Sequence, residues 1–149
     1  MNIERLERAL LEGGDMEELL DGISWKEFEG FCAGVFERHG WEAKRNLRFR
    51  SGRMYEIDVL AVRGGSAFAV DCKHWGARPG KASGLRRAAE MQAERADELA
   101  QAMPEFREKK VRPLIVTMLH EDICSERGVW IVPALRLNSF LLGFEGHLE

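Results

Sequence analysis

Two apolar runs with strand character, YEIDVLAV at residues 55–62 and SAFAVDCK at residues 66–73, are joined through Gly64-Gly65. A Gly-Gly pair between two such runs is a typical two-residue hairpin turn, because both positions can adopt a positive φ. The second run is apolar at most positions, as in a strand buried on both faces, yet it ends with Asp71 and Lys73. The segment therefore predicts a central hairpin that carries charged side chains at one end.

The length of this turn predicts which residues of the two strands face each other. With the two glycines as the turn, Asp58 lies opposite Asp71. The same register places Glu56 opposite Lys73, and strand alternation puts all four side chains on one face. The other face is then apolar and consists of Ile57, Val59, Phe68, Val70 and Cys72.

Two carboxylates directly across a strand pair repel each other, and a divalent cation between them would turn that cost into binding. Hard cations such as Mg²⁺ prefer carboxylate and carbonyl oxygens. We therefore predict a site for Mg²⁺ or Mn²⁺ that is formed by Asp58 and Asp71, with the backbone carbonyl of Cys72 as a further ligand. The alternative is a surface hairpin with one Glu56–Lys73 ion pair and an accidental pair of aspartates.

Hydrophobic periodicity along the rest of the chain predicts the element order α-α-β-β-β-α-β-β-α. The expected helices cover residues 3–12, 25–39, 83–103 and 134–144, and the expected strands cover 41–49, 55–62, 66–73, 111–118 and 128–133. Ser24 and Glu27 form a capping-box pattern before the second helix, and Gly40 is placed to end it. This order predicts an α/β fold in which a mixed central sheet, an antiparallel hairpin unit plus parallel strands, is flanked by helices.

The 149 residues are about the size of one domain, and we expect a single domain over residues 1–149 with an acidic helical extension at about residues 1–22. The three cysteines are far apart and show no CxxC spacing, which argues against both a disulfide framework and a zinc site. No apolar run approaches the roughly 18 residues of a membrane span. The N-terminal segment lacks a secretory pattern, so we place the chain in the cytoplasm.

The net charge of −3 conceals a strong asymmetry along the chain. Residues 1–43 carry a net −7, residues 44–87 a net +8 and residues 88–149 a net −4. A basic middle third between acidic flanks predicts a local basic surface. Its residues that we expect to contact nucleic-acid phosphates are Lys44, Arg45, Arg48, Arg50, Arg53, Arg78, Lys81, Arg86 and Arg87. The alternative is a solvated strand edge, which basic residues also protect.

The Asp58 and Asp71-Cys72-Lys73 motif resembles the PD-(D/E)xK signature of the restriction-endonuclease-like superfamily, and most of all the Mrr-like restriction endonucleases and archaeal Holliday junction resolvases. The segment WKEFEGFCAGVFERHGWEAKRN upstream resembles the first helix of that group. Two departures are visible. Ile57, not Pro, precedes Asp58, and GRMYE stands where Mrr-like enzymes often have GDGG.

The resemblance implies a Mg²⁺-dependent endonuclease that acts on DNA in restriction, repair or recombination, with Asp58, Asp71, Lys73, Glu29 and Gln92 as its active-site residues. Glu29 would assist the aspartates in holding the metal, and Lys73 would lie beside the attacking water. Gln92 falls in the middle of the apolar stripe of its helix. For Gln92 the alternative is a hydrogen bond to a neighbouring strand, and for Glu29 a boundary position paired with an arginine.

Two other functions and one assembly question stay open at this point. The chain could be a catalytically inactive nuclease-fold module that binds nucleic acid or protein, or an unrelated α/β interaction domain that works through its acidic N-terminal helices. A homodimer is possible, because cutting two strands calls for two copies of a single site. The candidate interface is Phe140, Leu141, Leu142 and Phe144, whose alternative role is ordinary core packing.

Overall fold

The computed structural model describes Arg8 and residues 24–73, 81–118 and 123–145, with the backbone alone for residues 81–83. Arg8 is helical, and the rest of the predicted extension at residues 1–22 lies outside the described residues. In the described part no helix combines the length and the apolar character that crossing a membrane requires.

Helix α1 spans Trp25–Arg38 and begins with the predicted capping box. The Ser24 hydroxyl accepts a hydrogen bond from the Glu27 amide at 3.1 Å, and the Glu27 carboxylate accepts one from the Ser24 amide at 3.3 Å. Gly40 follows the helix with a φ of +82°, a conformation that glycine adopts at little cost. One face of α1 is buried through Phe28, Phe31, Cys32, Val35 and Phe36.

Six strands form one mixed sheet in the order β1-β2-β3-β4-β6-β5. They are β1 (Glu42–Ser51), β2 (Arg53–Arg63), β3 (Ser66–Lys73), β4 (Lys110–Thr117), β5 (Cys124–Glu126) and β6 (Val129–Pro133). The pairs β1–β2, β2–β3 and β5–β6 are antiparallel, whereas β3–β4 and β4–β6 are parallel. The predicted α/β fold with an antiparallel hairpin unit and parallel strands is confirmed.

Helix α2 (Lys81–Ala102) connects the parallel strands β3 and β4, and helix α3 (Leu137–Glu145) closes the described chain. Short 3₁₀ turns at Pro104–Phe106 and Ala134–Arg136 precede β4 and α3. Strand β5 was not predicted from the sequence. Its three residues, CSE, are polar and largely exposed, so they carry no hydrophobic periodicity.

The sheet is covered by helices on both faces, which creates two layers of core. The α1–α3 layer contains Phe28, Cys32, Phe36, Val59, Ala61, Phe68, Val70, Val116 and Leu141. The α2 layer contains Ile57, Leu60, Ala67, Ala69, Ala96, Leu99 and Phe106, with a further group around Ala89, Ile115 and Ile131. Strand β3 lies between β2 and β4, and this position explains why it is buried along most of its length.

The β2–β3 hairpin has the predicted register, with Arg63 paired to Ser66 and Gly64 at a φ of +57°. The ladder extends only to the Val59–Val70 pair. The predicted Asp58–Asp71 and Glu56–Lys73 pairs both lie beyond this end, so neither belongs to the ladder and the predicted direct pairing is wrong at both positions. The two hairpin strands separate beyond Val59, while β2 stays paired with β1 at Glu56 and β3 stays paired with β4 at Lys73.

The predicted apolar face of the hairpin is also wrong at one residue. Val59, Phe68 and Val70 pack in the α1–α3 layer as expected, but Ile57 packs in the α2 layer. Ile57 and Val59 are two residues apart and would share a face in a regular strand. The faces of β2 therefore exchange at the residue between them, Asp58.

Candidate active site

Asp58 lies at the point where β2 and β3 separate, and its carboxylate bridges the gap. The backbone amide of Cys72 donates a hydrogen bond to Asp58 Oδ2 at 2.9 Å. The ladder between the two strands has already ended at Val59–Val70. A side-chain oxygen from β2 thus satisfies an amide of β3 beyond the end of the ladder, and this contact fixes the Asp58 carboxylate close to Asp71.

Asp71 is buried near the end of β3 and forms an ion pair with Lys73. The Lys73 Nζ lies 3.1 Å from Asp71 Oδ2. This oxygen is buried and accepts no hydrogen bond, so the contact with Lys73 is an ion pair. The predicted proximity of Asp58, Asp71 and Lys73 is present in the structure.

Glu29 reaches the same place from α1, and its side chain is almost completely buried. The Arg45 guanidinium lies 3.6 Å from Glu29 Oε1 and donates a 2.6 Å hydrogen bond to the Lys26 carbonyl. Burial raises the pKa of Glu29, while the charge of Arg45 and a hydrogen bond with Asp58 oppose the rise. Glu29 is therefore both paired with an arginine and in contact with the predicted metal ligand Asp58.

The three carboxyl groups influence one another electrostatically. Burial raises the pKa of Asp58 to about 7, the Cys72 amide opposes this shift, and the nearby charges of Asp71 and Glu29 add to it. A pKa near 7 means that Asp58 exchanges its proton around neutral pH. A cation that replaced this proton would relieve the repulsion among the carboxylates.

The donor chemistry fits a hard divalent cation. Glu29 Oε1 and Asp71 Oδ2 are both buried oxygens that accept no hydrogen bond, and carboxylate oxygens are the ligands such cations prefer. Across the described ranges, however, no three His, Cys, Asp or Glu side chains form a group arranged to hold a metal ion. The site therefore supplies oxygen ligands of suitable chemistry without a ready-made group of three.

Gln92 of α2 is buried and contacts the strand that carries Asp71. Its Nε2 donates to the Ala69 carbonyl at 2.7 Å, and its Oε1 accepts from Arg95 at 2.9 Å. The hydrogen bond to a neighbouring strand, weighed as the alternative for this residue, is thus present. Because Ala69 lies two residues before Asp71, the bond also ties α2 to the strand of the candidate site.

The predicted DNA-binding residues differ in how far their charges are already engaged. Lys44, Arg45, Arg48, Arg50 and Arg53 are exposed on the β1–β2 hairpin, and Arg86 and Arg87 are exposed on α2. Arg78 and the side chain of Lys81 lie outside the described residues.

Within the hairpin, Arg53 is the most engaged arginine. It donates to Glu94 of α2 at 2.6 Å and lies over the Tyr55 ring at 4.6 Å. Arg48 lies 3.8 Å from Glu56, a longer contact between two exposed groups. Arg45 contacts α1. The structure therefore gives Arg45 and Arg53 contacts within the protein that the sequence did not reveal.

The apolar C-terminal residues mostly pack into the core. Leu141 is fully buried, while Phe140 and Phe144 contact the Phe68 ring at centroid distances of 6.1 and 4.9 Å. Leu142 is 57% exposed. Core packing thus accounts for three of the four residues proposed as a dimer interface, and only Leu142 is free for such a role.

A mixed sheet in which two aspartates and a lysine meet at the end of a central hairpin, with a glutamate from the first helix beside them, defines a restriction-endonuclease-like nuclease domain. The chain belongs to the Mrr_cat restriction endonuclease family, whose model matches residues 20–119. The predicted superfamily is confirmed, and an unrelated α/β interaction domain is excluded.

Comparisons with known proteins found relatives in sequence and in structure. An uncharacterized protein from Archaeoglobus fulgidus is 32% identical over 128 residues, which cover 85% of this chain and 95% of the relative. The crystal structure of a protein of unknown function, AF1548, matches with a TM-score of 0.50 and 20% identity over 73% of this chain. Protein VC1899 from Vibrio cholerae matches 81% of this chain with a TM-score of 0.49 and 12% identity. The chain spans 57% and 33% of the lengths of these two solved structures.

Proposed function

We propose that this protein is a divalent-metal-dependent endonuclease that hydrolyses DNA phosphodiester bonds in restriction, repair or recombination. One observation carries the proposal. Three carboxyl groups, those of Glu29, Asp58 and Asp71, come together where β2 and β3 separate, and Lys73 lies 3.1 Å from one of them. Membership of the restriction endonuclease family supports the same reaction.

Asp58 and Asp71 would hold Mg²⁺ or Mn²⁺, with Glu29 and the Cys72 carbonyl as further ligands. When bound, the metal would lower the pKa of water and neutralise charge on the phosphate. Asp58 must lose its proton to serve as a ligand, and its pKa near 7 lets it do so at neutral pH. The Cys72 amide holds the Asp58 carboxylate in place beside Asp71 and Glu29.

Lys73 would supply the positive charge that the attacking oxygen and the phosphate require. Its ammonium group lies 3.1 Å from Asp71 Oδ2. An ammonium group at this distance from a metal ligand can donate a hydrogen bond to a neighbouring water or phosphate oxygen. We assign Lys73 to orienting the nucleophile and stabilising the charge that develops in the transition state.

Four exposed arginines, Arg48 and Arg50 of the β1–β2 hairpin and Arg86 and Arg87 of α2, would bind phosphates of the DNA. Such contacts position the DNA without selecting a sequence. A compact domain with one site cuts one strand at a time, so cleavage of both strands would use two copies, in a homodimer or in sequence.

A second candidate function is a nuclease-fold module that binds DNA or protein without cleaving it. Two observations favour it. The described residues contain no group of three side chains arranged to hold a metal, and Ile57 occupies the position before Asp58. Metal binding and cleavage separate the two functions.

The test combines Mn²⁺ calorimetry with cleavage of labelled duplex, junction, flap and single-stranded DNA in Mg²⁺ or Mn²⁺. We expect the wild type to bind Mn²⁺ and to cut at least one substrate. Asp71→Asn should lose both properties. The matched control is Glu90→Gln, which changes an exposed carboxylate of α2 that pairs with Arg127, and this variant should keep both properties. DNA binding without Mn²⁺ binding or cleavage would instead establish the inactive module.

A further inference from the structure

Strands β1 and β2 pair at every position from Glu42–Val62 to Ser51–Arg53 except one. The missing rung is the one between Asn46 and Asp58. Asn46 has a φ of +54°, one of two positive values among the non-glycine residues that the structure describes. A left-handed residue in the middle of a strand interrupts the ladder at that point.

The side-chain faces of β1 exchange at Asn46. Arg45 contacts α1 through Lys26 and Glu29, whereas Leu47 packs in the α2 layer on the opposite side of the sheet. These two residues are two positions apart and would share a face in a regular strand. The same exchange occurs on β2 between Ile57 and Val59. Both strands therefore exchange their side-chain faces at the same facing positions, Asn46 and Asp58.

The exchange determines where the Asp58 carboxylate points. From Val59 to Arg63, β2 is paired with both β1 and β3. From Arg53 to Ile57, β2 is paired with β1 alone, and Ile57 packs in the α2 layer. Asp58 lies at the point of separation. Its carboxylate therefore reaches the Cys72 amide on one side and Glu29 of α1 on the other.

We propose that Asn46 is a positioning residue for the candidate metal site. Its left-handed backbone conformation holds β2 so that Asp58 contacts Cys72 and Glu29. The proposal rests on the proposed function, since it concerns the geometry of the same site. Asn46 touches neither DNA nor metal in this role. It acts because asparagine and glycine adopt the left-handed conformation far more readily than β-branched residues.

The experiment compares Asn46→Val, Asn46→Gly and a matched control, Arg127→Val. Arg127 is the other non-glycine residue with a positive φ, at +49°, and it lies in the β5–β6 turn. Both valine variants place a β-branched residue at a positive φ, and Arg127→Val also removes the exposed ion pair with Glu90, but only Asn46→Val acts beside Asp58. Urea denaturation measures the common loss of stability, and calorimetry measures Mn²⁺ affinity in the folded proteins.

We expect Asn46→Val to weaken Mn²⁺ binding by about tenfold or more, the scale of disturbing the support of a metal ligand. Asn46→Gly and Arg127→Val should bind Mn²⁺ with an affinity within about twofold of that of the wild type, because neither disturbs the support of Asp58. Equal Mn²⁺ affinity in Asn46→Val and Arg127→Val would overturn the proposal. Should Asn46→Val fail to fold, Asn46→Ala imposes a milder strain at the same position.

A second measurement keeps the inference independent of metal binding. Hydrogen exchange of the Cys72 amide reports its bond to Asp58 directly in the metal-free protein. We expect faster exchange at Cys72 in Asn46→Val, and wild-type protection in Asn46→Gly and Arg127→Val. Unchanged protection in Asn46→Val would refute the positioning role. A wild type that neither binds Mn²⁺ nor cuts DNA would refute the proposed function while leaving this result interpretable.

Discussion

Asp58 Oδ2 accepts a hydrogen bond from the Cys72 amide at 2.9 Å, so a side chain links β2 and β3 beyond the last backbone pair of their ladder. The bond ties Asp58 to the residue that lies between Asp71 and Lys73. It also means that removing the Asp58 side chain has two opposing effects. The repulsion among the carboxylates falls, but a partly buried amide loses its acceptor, a loss of about 1–3 kcal/mol.

This balance leads to a prediction about pH. In the metal-free protein the unfolded Asp58 carboxyl loses its proton near 3.8, whereas the folded one keeps it until about 7. The folded state therefore binds more protons in that window, and the contribution of Asp58 to stability falls as pH rises from about 4 to about 7 and is level above it. Asp58→Asn should reduce this fall, since it retains an acceptor for Cys72 without a titrating charge.

The measurement is urea denaturation at several pH values with a chelator present. Glu29, whose pKa burial also raises, should preserve part of the fall in the Asp58→Asn variant. Asp97→Asn, a change of the same kind at an exposed position of α2, serves as the control. A pH profile of Asp58→Asn that superimposes on that of the wild type would contradict the raised pKa.

Lys73→Ala should separate metal binding from chemistry. The ammonium group forms an ion pair with Asp71, so its removal leaves the carboxylates at least as attractive to a cation. We expect Mn²⁺ and DNA affinities close to those of the wild type and a cleavage rate reduced roughly a hundredfold or more, the scale of losing one preorganised electrostatic group. Single-turnover cleavage and calorimetry on the same preparation test this. Lost DNA binding with unchanged turnover would contradict the role given to Lys73.

The hairpin arginines should differ in their contribution to DNA binding. Arg48→Ala and Arg50→Ala should each reduce the slope of log affinity against log salt by about 0.9, the value for one phosphate contact. Arg53→Ala should leave the slope unchanged, because Arg53 is engaged with Glu94 and Tyr55. DNA affinity at four or more salt concentrations measures the slopes. A reduced slope for Arg53→Ala would show that DNA displaces Glu94.

Gln92→Met tests whether this residue supports the fold or the reaction. Methionine has a similar shape but cannot donate to the Ala69 carbonyl, so we expect a loss of about 1–2 kcal/mol in the free energy of unfolding. For a purely structural role, Mn²⁺ affinity and cleavage per folded molecule stay unchanged. Cleavage that falls by tenfold or more in a folded Gln92→Met protein would instead favour the active-site role that the family resemblance implies.

The sequence was most informative where local rules determine the structure. The capping box at Ser24, the helix end at Gly40 and the pairing of Arg63 with Ser66 depend on residues close in the chain, and all three are present. The proximity of Asp58 and Asp71 follows from that short turn. The sequence pointed to this end of the hairpin as a candidate site because few buried strands end with charged residues such as Asp71 and Lys73.

The sequence was misleading where the pattern stayed regular although the backbone did not. Apolar residues continue at alternate positions through Tyr55, Ile57 and Val59, so nothing in β2 signals that its faces exchange. The one available signal was Asn46, a residue tolerant of the left-handed conformation in the middle of a predicted strand. The Glu94 partner of Arg53 was equally invisible, and the pairing of Glu29 with an arginine was weighed without identifying Arg45, because Glu29 and Glu94 lie on helices whose packing no local rule predicts.

The three strands that carry the candidate site are consecutive, and they are joined by turns of one or two residues, whereas the partner of β3 on its other side, β4, arrives only after the 22-residue helix α2. Contacts between segments close in the chain form faster than those that require a long loop to close. We therefore expect the aspartates to meet early during folding, before β4 completes the centre of the sheet. Pulse-labelled hydrogen exchange would show this order as protection of Val59 and Val70 that precedes protection of Leu114 and Val116.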